Sequence, residues 1–436
     1  MEIRLNRRSC FYALLAVLCI LLAGRYAFQI EIPRMVLTVI VIAMGMIGSL
    51  NETLAIAMGC IPMHQAIDFY IAIVMLAGIL MLKNIHQIRI GIPVFLVILM
   101  IIWELLHCFI FEWSLLMLLT SLAPLVFIAV LLSARLQDID YAFITRTMAF
   151  LSSFVCVLLL LHCIVSADGN LAVAFVNLNR LGTLSKDEIL IGGAINPNSI
   201  GIVNVLGITC LLQIRSIGQQ KKRDVLYIFA LLIFGILTLS KTFLACLLIM
   251  MILVFAERNN QWKRKLRMLG SAILIGGLLI AVMITVFPEV LTNFIERFQV
   301  KDITSGRIEI MESYHNYMIN NPFVLFFGVG VADFGGKVVN VYRMSYAVPH
   351  NSIQEIIVAW GIPGLLMITL LILMVIVESK KIRGSKPIRV MNYIPLIIIL
   401  AKSMAGQLLT SGYTILALGL AYLSLCQDFS KNNPER

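Results

Sequence analysis

An all-α, polytopic membrane helix bundle with one large extracytoplasmic loop is what this sequence predicts, and three features predict it. Of the 436 residues, 60% are hydrophobic and only 13% are charged, where a soluble domain averages about half apolar and about a quarter charged. The apolar residues fall in runs of about 15–25, the length that crosses roughly 30 Å of hydrocarbon. Lys and Arg gather in the short connections between those runs, the pattern that retains cytoplasmic loops. A net charge of +11 would suggest nucleic acid in a soluble chain; here the positive-inside pattern accounts for it, and no nucleic-acid partner is expected.

The elements follow in order. Arg4, Arg7 and Arg8 precede a first apolar run from Cys10 to Phe28, read as a retained helix and not a signal peptide, since no small-residue cleavage site follows it. Further apolar segments centre on 35–50, 66–82, 92–111, 114–132, 143–166, 197–214, 224–240, 242–256, 268–287, 351–377, 392–407 and 411–426. Three connections are strongly basic: Arg215 to Arg223, Arg258 to Arg267, and Lys380 to Arg389. Placing these in the cytoplasm puts residues 167–196 and 288–349 outside and Lys83 and Arg89 inside. The chain must then cross an even number of times before Lys83, so Thr53–Pro62 crosses as a short segment or a neighbour is re-entrant. About 12–14 spans result, with both termini cytoplasmic. The units are 1–166 (N-terminal helices), 167–196 (external loop), 197–287 (central helices), 288–350 (large external loop) and 351–436 (C-terminal helices). Nine cysteines sit almost wholly inside apolar runs without CxxC spacing, so packing, not a disulfide framework or metal site, is expected.

Within the outer segment, Ser305 can cap a helix through Ile308, Met311, His315 and Met318 that stops at Asn320-Asn321-Pro322. Those apolar positions share a face, which suits a helix lying on the membrane surface. His350 stands where the segment enters the next membrane helix. Its imidazole titrates near neutrality and suits a general base; the competing reading is an interfacial histidine that hydrogen-bonds the loop. Arg307 is a fixed cation able to hold phosphate oxygens, or else an ion pair with Glu309 or Glu312. Lys241, in Leu239-Ser240-Lys241-Thr242, interrupts a long apolar stretch at its outer end; such cations serve an anionic ligand or snorkel to the interface. Asn196-Pro197-Asn198 is both a helix start and a source of amides for sugar hydroxyls.

Three motifs in order carry a family resemblance: Ser305-Gly306-Arg307; Asn321-Pro322 with Gly328-Val329-Gly330; and Pro349-His350-Asn351 followed by Trp360-Gly361-Ile362-Pro363-Gly364. Over roughly residues 190–380 the chain resembles the O-antigen ligase and O-antigen polymerase family of polysaccharide-assembly membrane glycosyltransferases. The resemblance implies metal-independent glycosyl transfer on the outer face of a bacterial cytoplasmic membrane, with no cofactor. The donor would be a polyprenyl-pyrophosphate-linked glycan whose tail lies in membrane lipid; a flippase and a chain-length regulator are the implied protein partners. It assigns His350, Arg307 and Lys241 to catalysis, and Asn198 and Asn351 to substrate binding; apart from the resemblance, Asp333 and Arg180 are further candidates for sugar or phosphate contacts. The family commonly has Ser-Arg where this chain has Ser240-Lys241, which keeps the charge and loses the bidentate fork. Polymerase is preferred over ligase; a flippase of lipid-linked oligosaccharide is the alternative from another class, and it predicts internal repeats that the sequence does not show.

Other signals carry less. Asp138-Ile139-Asp140 lies on the cytoplasmic side and reads as a solvated loop. Gly328 to Gly336 is no dinucleotide fingerprint, because no strand–turn–helix unit surrounds it. Glu104 and His107 sit at one helix end and could pair.

Overall fold

The computed structural model describes residues 6–112, 114–134, 139–170, 173–174, 180–182, 196–257, 307–331, 349–384 and 389–429, with single positions at 270, 281, 285, 292 and 295. The expected span 268–287, apart from those single positions, the cap Ser305 and the candidate Asp333 lie outside the described residues.

The described chain is an all-α bundle, as expected. Its helices are α1 (Arg7–Tyr26), α2 (Arg34–Ile47), α3 (Leu50–Met63), α4 (Phe69–Lys83), α5 (Ile92–Phe111), α6 (Leu115–Ser133), α7 (Tyr141–Ser166), α8 (Pro197–Ser216), α9 (Lys222–Leu237), α10 (Lys241–Ala256), α11 (Arg307–Asn320), α12 (Pro322–Phe326), α13 (Ser352–Arg383), α14 (Val390–Ser403) and α15 (Gly412–Cys426). Among the described residues, α1, α5, α6, α7, α8 and α13 are long and apolar enough to cross a membrane, and six shorter helices are also apolar. Exposed Phe109, Leu116, Leu82 and Ile20 mark outward surfaces that suit lipid, because a helix satisfies its own backbone there.

The stretch Thr53–Pro62 is resolved as the middle of α3, a 14-residue helix about 21 Å long. It starts on a capping box, with Ser49 and Glu52 each bonded to the other's backbone N–H. Every residue from Glu52 to Met63 is buried, so α3 is walled by protein, packed chiefly against α7 with α2, α4 and α15 around it. Side-chain caps also start several other helices: Asn6 for α1, Ser114 for α6, Asp140 for α7, Asn196 for α8, Ser240 for α10 and Asn351 for α13. The basic residues Arg215, Lys222 and Arg383 lie at the opposite ends of their helices from Asn198, Thr238 and His350.

The element that organises the His350 end of the bundle is a break in α13. Gly361 adopts φ 69°, ψ −173°, which ends the first stretch of helix at Trp360. In an unbroken helix the carbonyls of Val358 and Ala359 would accept from residues 362 and 363, and residue 363 is a proline without an N–H. They accept instead from Val329 N (2.9 Å) and Gly330 N (2.6 Å). Gly328 (φ 78°) and Gly330 (φ 87°) shape that turn. A Cβ on Gly328 would lie 2.3 Å from the Ala359 oxygen, and one on Gly361 would lie 2.5 Å from the Phe326 oxygen, so the two backbones touch with no room for a side chain.

Helix α5 clamps this joint. Glu104, fully buried, accepts from Trp360 Nε1 (2.6 Å) and from Val331 N (3.1 Å to each carboxylate oxygen). Trp103 Nε1 donates to the Trp360 carbonyl at 3.1 Å. His107 Nε2 lies 2.7 Å from the Phe327 carbonyl and Nδ1 2.7 Å from that of Trp103. Glu104 and His107 therefore serve the joint through separate bonds.

Helix α11 ends at Asn320 as the sequence predicts. Its buried face is Ile310, Tyr314, Tyr317 and Met318, which form a small core with Val324, Val329 and Val358. Ile308 and His315 are exposed and Met311 half-buried, while Met318 is buried. The expected shared face is thus split: Met318 packs against protein, Met311 is partly covered, and Ile308 and His315 face outward.

Replacing Gly361 or Gly328 with Ala is expected to destabilise the protein by roughly 1–3 kcal/mol, from left-handed backbone strain plus the backbone clash. Gly78→Ala, on α4 with open space at its Cβ, is the matched control. Thermal unfolding in detergent checks this: both joint variants melt lower than wild type, and the control does not.

Candidate functional site

Ten residues span the distance from the start of α13 to its break. That short stretch is bonded to every element around it. Gln354 Nε2 donates to the Met311 carbonyl of α11 at 2.9 Å. Glu355, fully buried, accepts from the backbone N–H groups of Leu408 (2.5 Å), Leu409 (3.2 Å) and Thr410 (2.8 Å) and from Thr410 Oγ1 (2.5 Å). Those donors belong to the non-helical loop 404–411 between α14 and α15. One turn of helix thus draws α11 and this loop together in front of His350.

The result is a cavity of about 300 Å³. His350 and Arg307 line it from one side; Asn196, Asn198 and Thr242 line it from the starts of α8 and α10; Lys402 and the loop Ala405 to Tyr413 form another wall; and His64, Gln65 and Tyr70 close it from the α3–α4 turn. Among the described residues no carboxylate lines this cavity, so its fixed charge is cationic. Such a lining suits an anion such as phosphate beside hydroxyl-rich material held by amides and aromatic rings.

His350 adopts φ 51°, a left-handed conformation unusual for a residue with a side chain. Asn351 immediately caps α13, its Oδ1 accepting from Ile353 N (2.9 Å) and Gln354 N (3.3 Å). Burial lowers the His350 pKa below the ordinary imidazole value, and the positive charges of Arg307 and Lys402 lower it further. The ring is therefore held neutral at neutral pH, the form that accepts a proton. His64, whose Nδ1 lies 2.9 Å from the Ile61 carbonyl, is pushed down to about 4, mainly by burial.

Asn198 is oriented by its neighbours. Its Oδ1 accepts from Ser240 Oγ (2.8 Å) and Arg180 Nη2 (3.2 Å). Since guanidinium only donates, the oxygen must face Arg180, and the amide NH2 is the part available to the cavity. Arg180 also donates Nε to the Thr238 carbonyl at 2.9 Å, and Leu181 N donates to the Leu237 carbonyl at 2.9 Å.

The sequence-derived candidates therefore separate. His350, Arg307 and Asn198 converge on one cavity. Arg180 braces Asn198, and Asn351 caps a helix; neither lines the cavity. Lys241 is the first residue of α10 and half-buried; among the described residues its neighbour Thr242 lines the cavity and Lys241 does not. The second cation of the cavity is Lys402, from the last turn of α14. The sequence reading passed over it inside a segment counted as apolar, although the rule that singled out Lys241, a cation interrupting an apolar run, applies to it equally.

Residues 226–369 match the family model described as O-Antigen ligase. The matched stretch takes in Lys241, Arg307, the Gly328-Val329-Gly330 turn, His350 and Gly361, and leaves out Asn198 and Lys402. No curated protein matches the sequence significantly.

Acylation of His350 by diethyl pyrocarbonate, which attacks neutral imidazole, is expected to stay fast through neutral pH and to slow only below 6.5. Removing a neighbouring positive charge stabilises imidazolium, so Lys402→Met moves that slowing to higher pH. Peptide mass spectrometry of the protein labelled across a pH series measures both.

Proposed function

We propose, for a multi-pass membrane protein that belongs to the O-antigen ligase and polymerase family, that this chain polymerises polyprenyl-pyrophosphate-linked oligosaccharide repeats at the outer face of a bacterial cytoplasmic membrane. The observation that carries the reading is the meeting of His350 and Arg307 in one cationic cavity beside membrane helices. In the proposed step, the hydroxyl of one lipid-linked repeat attacks the anomeric carbon of another. His350 takes the hydroxyl proton, a glycosidic bond forms, and the bond from the anomeric carbon to pyrophosphate breaks, releasing polyprenyl pyrophosphate. Pyrophosphate leaves readily once its charge is neutralised, so a guanidinium aimed at it is worth more than an acid. Arg307 supplies this, and the Asn198 amide suits a sugar hydroxyl. Direct displacement inverts the anomeric centre.

Both partners of polymerisation are lipid-linked repeats, so a single polar cavity next to the bilayer suffices. A ligase would use the same base and cation and differ in its acceptor.

The test is transfer by the purified protein in nanodiscs supplied with lipid-linked repeats. Wild type is expected to build a ladder of long chains of inverted configuration. His350→Ala and Arg307→Ala are expected to lose it by at least about 100-fold, the scale of a general base or a charge stabiliser, while inserting normally. Ladders unchanged in both variants, or a product of retained configuration, would overturn the mechanism; transfer only to a non-repeat acceptor would make the protein a ligase.

A further inference from the structure

We infer that Lys402 is the ammonium that binds the pyrophosphate of the lipid-linked donor in this cavity, the role that sequence reading gave to Lys241. The inference rests on the proposed glycosyl transfer and identifies a residue of that site outside the stretch matched by the family model.

Four observations carry it. Lys402 lines the cavity that also holds Arg307 and His350, and Lys241 does not. Its Nζ is held by the Gln407 carbonyl (2.6 Å) and Thr414 Oγ1 (2.8 Å), and lies 5.2 Å from the centre of the Tyr413 ring. An ammonium has three donors, and two are spent on neutral oxygens, which orient the group and leave its charge uncancelled. Among the described residues no acidic side chain forms an ion pair with it. An oriented, half-buried cation in a cavity whose described lining has no carboxylate is costly unless an anion completes it.

The geometry also explains how the charge is kept in register with the chemistry. Gln407, one of the groups that hold Nζ, sits in the loop whose next three residues are bonded to Glu355, five residues after His350. Lys402 and His350 are thereby fixed to the same turn of α13. Both Lys402 and Arg307 act electrostatically on His350, which puts two cations within reach of the base. A diphosphate with two charged groups suits such a pair better than a single phosphate does.

The experiment measures binding of polyprenyl pyrophosphate without glycan to the full-length protein in phosphatidylcholine nanodiscs, with inorganic pyrophosphate as competitor. Lys402→Met is expected to weaken binding at least tenfold and Lys402→Arg to retain most of it. Lys241→Met and Thr414→Val, the second of which removes one support of Nζ and keeps its charge, are expected to stay within about twofold. Equal binding by Lys402→Met and wild type would overturn the assignment. So would an equal loss in Thr414→Val, which would make Lys402 a support for the loop, or in Lys241→Met. Competition by inorganic pyrophosphate is expected; competition by added phosphatidylglycerol in its place would reassign the charge to a phospholipid headgroup. If wild type binds no polyprenyl pyrophosphate at all, the underlying transferase reading fails, and not the choice between lysines.

Discussion

The His350 end of this protein depends on a hydrogen-bond exchange at one glycine. Where Gly361 breaks α13, the carbonyls of Val358 and Ala359 accept the N–H groups of Val329 and Gly330. Buried carbonyls need a partner, and here the partner is a turn whose own glycines permit backbone-to-backbone contact. The exchange locks the glycine turn after α12 onto α13 through main chain alone. Glu104 then seals the joint by satisfying the Trp360 indole and the Val331 amide from a third helix.

That joint converts sequence neighbours into a site. From His350 to Trp360, one short helical stretch presents an imidazole at its start, an amide to α11 through Gln354, a carboxylate to the α14–α15 loop through Glu355, and two carbonyls to the glycine turn. A change at any of these anchors is transmitted to the distance between His350, Arg307 and Lys402. The buried Glu355 shows the economy of the arrangement: four donors surround a group that would otherwise be costly to bury.

The cavity and the basic turns lie at opposite helix ends, which fits a division of labour across a bilayer. Arg215, Lys222 and Arg383 end or begin helices far from the cavity, where positive charge favours retention in the cytoplasm. At the cavity the cations have a different setting, half-buried and held by neutral oxygens or bordered by amides. The same residue types thus form basic turns at one end and line a cavity at the other.

Sequence alone determined the all-α membrane bundle, because hydrocarbon tolerates few alternatives and the length of apolar runs records them. It also singled out His350, Arg307 and Asn198, which lie in or beside polar segments where a chemical residue stands out from lipid-facing neighbours. Tertiary structure decided which cation joins them. Lys241 and Lys402 both interrupt apolar stretches of sequence, at the start of α10 and the end of α14, and nothing in their local sequence distinguishes a lysine at a cavity wall from one beside it. The sequence likewise offered Glu104 and His107 as a pair, whereas the fold spends them on the backbone of residues more than 200 positions away. Contacts between distant segments are set by packing and by where a broken helix leaves its carbonyls, and those have no periodicity to read.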